Sequence, residues 1–448
     1  MRGANPAYAA LNGMLAGACS VQRHCGADYE YADLPPLPLL PSGPTWGQTP
    51  MTALRPLKIA LLWHAGNCGN LGLGALTWSD IILVDRAASA AGRQAQIDLL
   101  TTGDLDLSRL DALPFSIGLI QIRIQPTLLR SILGAFRLRR MLADYDVVVD
   151  IASGDSFASL YGGAVFRRQL ATKFAAAMSP ARFILAPQTI GPFTRTHSLL
   201  AGLVVSRADT TFCRDAVSAE FAQWWPGAKV EVVPDVAFAL PPVGTVELSR
   251  DSINVGINPS GLLYRANPGD RYYVAGYREL MHGLLERLTS RADVTVHLVP
   301  HVLTLNELGP ARGPDEDYVL CRELRAQYSG CLLPKPFVTA GEAKGYISGL
   351  DILHASRMHA AIAAVGTGVP AVAVAYSRKF RDTILTVGYE LPFIDPAQTG
   401  YAAAVDDFCQ LLSRLDVLRA DVAGVESQAS QGLKRYVALL AEQFASLG

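Results

Sequence analysis

Ser356-Arg357-Met358-His359-Ala360-Ala361-Ile362-Ala363-Ala364, then Gly366-Thr367-Gly368-Val369-Pro370 and the apolar run Ala371 to Tyr376, decides how this chain folds. The alanine-rich segment from Met358 suits a short buried helix, and glycine and proline close it. The apolar run behind it suits a buried parallel strand, so the pair reads as one unit of an α/β sheet. Ser356 is placed to cap the helix. Arg357 and His359 then fall near its first and third positions, where backbone N–H groups and the helix dipole favour an anion. The expectation is an anion site with an acid/base group beside it.

The same grammar extends outward. Buried-strand runs occur at 58–63, 146–151, 182–186, 210–213, 253–257 and 294–299. Helical stretches lie between most strands, at 73–91, 163–177, 277–289 and 342–348. Alternation of this kind predicts doubly wound sheets with right-handed crossovers. Pro241-Pro242-Val243-Gly244-Thr245 punctuates it. The expected organisation is a disordered or linker-like tail over 1–50, a Rossmann-like domain over 51–245, a second over 246–395, and helices over 396–448 that can cross back. Two such domains face each other across a cleft.

Composition narrows the function. The chain has 448 residues, 50% apolar and 18% charged, with a net charge of −1. A nucleic-acid binder would carry a dominant basic face, which this balance excludes. The seven cysteines are scattered without metal spacing and read as reduced thiols, which places the protein in the cytoplasm. No apolar run approaches a membrane span, and no histidine or acidic cluster has metal-ligand spacing. Asp315-Glu316-Asp317 reads as a solvated helix start.

Polar loops after the carboxyl ends of strands face the ligand in such folds. On the first domain they contribute His64, Gly66, Asn67, Gly69, Ser153, Asp155 and Gln188. On the other side they contribute Ser356, Arg357, His301, Tyr376 and Lys379, with Arg214 following the strand at 210–213. Arg214 also has a local alternative, an ion pair with its neighbour Asp215.

Gly66-Asn67-Cys68-Gly69-Asn70-Leu71-Gly72, Gln188-Thr189-Ile190-Gly191-Pro192-Phe193, Cys213-Arg214-Asp215, Pro234-Asp235-Val236-Ala237-Phe238, Val299-Pro300-His301, the Ser356 segment and Tyr376-Ser377-Arg378-Lys379 follow one another in a specific order. Over about residues 58–395 this ordered set resembles the polysaccharide pyruvyl transferases. The resemblance implies a GT-B-like pair of domains and transfer of pyruvate from phosphoenolpyruvate to a sugar as a cyclic ketal. It implies no cofactor beyond the donor, Arg214, Arg357 and His359 as donor-binding and catalytic positions, Ser356, His301, Tyr376 and Lys379 beside them on the donor side, and the first-domain residues His64, Gly66, Asn67, Gly69, Ser153, Asp155 and Gln188 on the acceptor side. Where many relatives carry a Gly-rich triplet after the second strand, this chain has Ala152-Ser153-Gly154-Asp155-Ser156. A nucleotide-sugar glycosyltransferase and a non-catalytic glycan-binding relative are the alternatives on the same fold.

One stretch suggests a further partner. No acidic residue occurs between Ala112 and Ala143, while Arg123, Arg130, Arg137, Arg139 and Arg140 accumulate among apolar residues. A basic amphipathic helix over 123–140 would lie on an anionic membrane, peripheral at its inner face, and would suit a lipid-linked acceptor.

Overall fold

The structure, a computed structural model, describes residues 55–65, 69–101, 117–121, 128–303, 316–374 and 378–447. The first sheet contains β1 (Leu57–Leu62), β2 (Ala95–Thr101), β3 (Ile117–Gln121), β4 (Val147–Asp150), β5 (Arg182–Gln188), β6 (Thr210–Cys213) and β7 (Val230–Val232). They pair in the order β3-β2-β1-β4-β5-β6-β7, all parallel. The second sheet contains β8 (Ile253–Asn258), β9 (Val294–Leu298), β10 (Cys331–Leu332), β11 (Ile352–Ala355), β12 (Ala371–Val374) and β13 (Phe393–Ile394). Its order, β10-β9-β8-β11-β12-β13, repeats the winding of the first.

Both sheets are therefore Rossmann-like, with winding reversing at β1/β4 and at β8/β11. A crevice opens outside the carboxyl ends of the strands at each reversal, and polar loops collect there. The expected strands at 58–63, 146–151, 182–186, 210–213, 253–257 and 294–299 all lie in these sheets, and the last run ends at Val374 among the described residues. Sequence reading passed over β2, β3, β7, β10, β11 and β13. The omission of β11 matters most, because this four-residue central strand delivers Ser356 and Arg357 to the crevice.

The helices α1 (Leu71–Ala90), α2 (Leu128–Leu142), α3 (Gly163–Ala177) and α4 (Arg195–Val205) flank the first sheet. Asn70 caps α1, its side chain accepting from the Gly72 N–H at 3.0 Å. After the second sheet the chain returns. The helix Tyr401–Leu412 packs on the helix Tyr277–Thr289, whereas the helix Val425–Ala445 packs on α1 of the first sheet.

That return is anchored by buried polar groups. The Tyr436 hydroxyl donates to Asp80 Oδ1 at 2.9 Å, and Asp80 Oδ2 lies 2.8 Å from His64 Nε2. The other His64 nitrogen, Nδ1, is 3.0 Å from the Leu62 carbonyl. Both ring nitrogens are thus occupied inside the core, and His64 is not an acceptor-side residue as its loop position suggested. It ties α1 and the C-terminal helix to the end of β1. Among the described residues no helix is long and apolar enough to cross a membrane.

Candidate active site

The helix Met358–Val365 begins where the second sheet's reversal faces the first sheet. Arg357, not Ser356, is its N-cap residue, so His359 sits at its second position. Ser356 turns inward instead, and its hydroxyl accepts from the Tyr277 hydroxyl at 2.8 Å. The segment is held by Asn258 at the end of β8, whose Oδ1 accepts from the N–H groups of Ser356 (3.1 Å) and Arg357 (2.9 Å). Among the described residues no acceptor takes the N–H groups of Met358 and His359.

Two arginine–aspartate pairs meet at this point, one from each sheet. Arg214, only 1% exposed, donates from Nη1 to Asp235 Oδ2 at 2.7 Å and from Nε to Thr189 Oγ1 at 3.0 Å. Its neighbour Asp215 is otherwise engaged, capping the next helix through the Ser218 N–H at 2.7 Å, so the local ion pair does not form. Arg357, 13% exposed, makes a forked contact with Asp317, Nη2 to Oδ1 at 2.6 Å and Nε to Oδ2 at 3.1 Å. Asp317 was expected at a solvated helix start. It is instead fully buried and also accepts from the N–H groups of Gly261 and Val302.

Asp235 and Asp317 were both named in the sequence, but their pairing was not legible there because each lies far from its arginine along the chain. Both arginines are compensated, so the site offers oriented donors more than bare positive charge.

His359 stands between the pairs. Its side chain is 15% exposed, Nε2 is 3.9 Å from Asp235 Oδ2, and that nitrogen has no hydrogen-bond partner. Burial holds the imidazole below its ordinary pKa; Asp235 opposes the shift, Arg214 adds to it, and Asp155 opposes it. The ring rests on Gly72 of the other domain. A Cβ there would fall 2.4 Å from His359 Nδ1 and 2.7 Å from its Cγ. Gly72→Ala is therefore expected to displace the ring and, with His359 in the acid/base role proposed below, to cut turnover by about 10- to 100-fold. An unchanged kcat in a well-folded variant would remove this close approach from the account.

The remaining expected residues divide. His301 belongs to the cluster: it is 3% exposed, and burial first, then His359 and Arg357, push its pKa down to about 3, so its ring is neutral. Its carbonyl accepts from the Leu71 N–H at 3.1 Å, joining the two domains. Gly69 does the same, its carbonyl accepting from the Leu303 N–H.

Asp155 accepts from the Tyr161 hydroxyl at 2.5 Å, and burial, followed by the Asp155 charge, raises the pKa of that phenol. Ser153 lies in a left-handed run, with φ of 48° at Ala152, 51° at Ser153 and 85° at Gly154. Two of these residues bear a Cβ, so the loop holds a strained backbone next to the cluster. Gly154 must lack one, since a Cβ would meet Leu76 at 2.7 Å and the Arg214 guanidinium at 3.0 Å.

Gln188 lies beneath that loop rather than on it. It is fully buried, its amide donating to the Asp150 carbonyl at 2.7 Å, and so is not placed to touch an acceptor. Gly66, Asn67 and Tyr376 lie outside the described residues, as does the side chain of Lys379, whose backbone begins the helix Arg378–Leu385.

A family model described as polysaccharide pyruvyl transferase matches residues 87–378. No curated protein matches the sequence. Among solved structures the chain is similar to a putative UDP-N-acetylglucosamine 2-epimerase from Listeria monocytogenes, at 14% identity and a TM-score of 0.55, over 87% of this chain and 97% of that one. It is similar also to UDP-GlcNAc 2-epimerase from Neisseria meningitidis, at 10% identity and a TM-score of 0.55, over 87% and 100%. A third likeness is to sucrose-phosphate synthase from Thermosynechococcus elongatus, at 12% identity and 0.52, over 86% and 98%. At these identities the likeness is one of fold, two facing Rossmann-like domains in the GT-B arrangement.

Proposed function

The chain belongs to the polysaccharide pyruvyl transferase family, and from that premise we propose that it moves the pyruvyl group of phosphoenolpyruvate onto two hydroxyls of one sugar, forming a cyclic ketal and releasing phosphate. The observation that carries this reading is His359: a buried imidazole with an unpartnered Nε2, lying between two arginine–aspartate pairs that come from opposite domains.

The donor is a small frame with a carboxylate at one end and a phosphate at the other. It needs separate anchors that accept charge without collapsing onto each other. Arg214 on the first domain, and Arg357 with the N–H groups of Met358 and His359 on the second, are such anchors. Asp235 and Asp317 fix the forks in place, so little reorganisation accompanies binding. Lys379 and Tyr376 follow the adjoining strand and belong to the same donor side in this reading, with Ser356 and His301 shaping the wall behind. Gly69, Ser153 and Asp155 line the acceptor side.

The reaction requires one proton on the methylene carbon, which becomes the methyl group. One sugar hydroxyl attacks the central carbon and loses its proton, phosphate leaves that carbon, and the second hydroxyl closes the ring and loses its own. His359 supplies the first proton and recovers one from a hydroxyl, and the other hydroxyl's proton leaves on the released phosphate. Bound donor charge raises the imidazole pKa that burial lowers, so proton uptake follows donor binding. The chemistry as written uses no cofactor.

Incubation with phosphoenolpyruvate and a panel of glycans and lipid-linked oligosaccharides tests the proposal. Phosphate release should depend on the acceptor, and the acceptor should gain the mass of pyruvate less water. Release without an acceptor, or consumption of a nucleotide sugar in place of phosphoenolpyruvate, would sink it, the latter in favour of glycosyl transfer.

A further inference from the structure

The helices α2, α3 and α4 pack side by side on one face of the first sheet. Between them runs a groove of about 430 Å³, lined by Phe136, Arg139, Leu170, Phe174, Met178 and Leu203 among others. The apolar surface does not stop at the groove. Phe136 is 60% exposed, Leu133 54% and Leu203 51%, and Leu199 beside them is 70% exposed. Single exposed apolar residues are ordinary, but a continuous set spread over three neighbouring helices marks a contact surface.

Charge on these helices is one-sided. Together they contain seven arginines and one lysine, and no aspartate or glutamate. The lysine, Lys173, is buried against Asp150, whereas Arg137, Arg139, Arg140, Arg167 and Arg195 are exposed. In a chain whose net charge is −1, this is segregation of positive charge onto one apolar face.

We propose that the α2–α4 face docks the protein on an anionic lipid bilayer. Its leucines and phenylalanines enter the boundary between headgroups and acyl chains, while the arginines extend to lipid phosphates. The basic segment expected over 123–140 is thus widened: the surface is built from three helices, and α3 and α4, outside that segment, supply much of its apolar area. A second copy of this chain is disfavoured as the occupant, because two such faces would bring arginines together with no acidic residue on any of the three helices to answer them.

The placement also has a functional side. The loop carrying Ser153, Asp155 and Tyr161 leads directly into α3, and Gly163 to Phe174 spans about 16 Å at the helical rise. A sugar carried on a lipid would therefore stand near the cleft once the face is docked. Vesicle binding itself does not depend on the chemistry proposed for that cleft.

The test uses the full chain with phosphatidylcholine vesicles, with and without phosphatidylglycerol, at low and high salt. Partitioning onto the anionic vesicles should exceed that onto neutral ones by at least about tenfold at low salt and fall at high salt. The double variants Leu199→Glu with Leu203→Glu, and Arg137→Glu with Arg140→Glu, should each lose binding while keeping the parent circular dichroism. If one of them misfolds, the other decides together with Leu199→Ser. No binding to anionic vesicles, equal binding to neutral ones, or binding unaltered in folded variants would overturn the proposal. A concentration-dependent dimer dissolved by the same substitutions would overturn it in favour of a second copy.

Discussion

His359→Ala is expected to lower turnover by about 10²- to 10⁴-fold, the range that a positioned acid/base group contributes, and to leave the fold intact. No hydrogen bond holds Nε2, and the ring lies at the domain boundary instead of within either sheet core. The pH dependence of the parent enzyme should carry the same signature. Burial lowers the pKa of the free enzyme's imidazole, so the limb it contributes to kcat/KM should fall below the ordinary histidine range. With the anionic donor bound the pKa rises, and the limb in kcat should move to higher pH. Coincident limbs, or a folded His359→Ala variant with near-parent turnover, would end the assignment.

Asp235→Ala carries the second large effect, and it falls on stability as well as rate. The carboxylate is fully buried against Arg214 and also accepts from the Ala237 N–H at 2.8 Å. Its removal leaves a buried guanidinium uncompensated, which costs about 3–5 kcal/mol, and strips a turn of its cap. Chemical denaturation followed by circular dichroism should show the loss.

The double variant Arg214→Met with Asp235→Leu separates the two consequences. Removing both charges should recover much of the stability, since apolar replacement of a buried pair is close to neutral, yet activity should stay absent because the anchor proposed for the donor is gone. Asp235→Asn offers a gentler probe. Asp235 raises the His359 pKa, so the His359 limb in kcat/KM should move to lower pH. A parent-like melting curve for Asp235→Ala would show that the pair is not what holds this part of the cleft.

Much of the architecture was legible in local pattern. Apolar runs of five or six residues between amphipathic stretches mark β1, β4, β5 and β8 because buried parallel strands need apolar residues on both faces. The two-residue strands β10 and β13 carry too few residues for any periodicity, and β11 hides inside the same apolar stretch as its helix. At the site, Arg214, Arg357 and His359 were legible because they follow strands in a recognisable order. Asp235 and Asp317 were not, since pairing across 21 and 40 residues is decided by the fold. His64 and Gln188 misled for the opposite reason. A polar residue after a strand points to the crevice only if nothing beneath it claims its hydrogen bonds, and Asp80 and the Asp150 carbonyl do.

The helix Val425–Ala445 gives the chain an awkward order of assembly on the ribosome. Tyr436 completes a buried contact with Asp80 and stacks edge-on against Phe212, so the first sheet's apolar face waits for residues made long after β7. At about 5–20 residues per second, that interval lasts roughly 10–40 s. The nascent first domain must pass through it with the face of α1 that this helix covers still open.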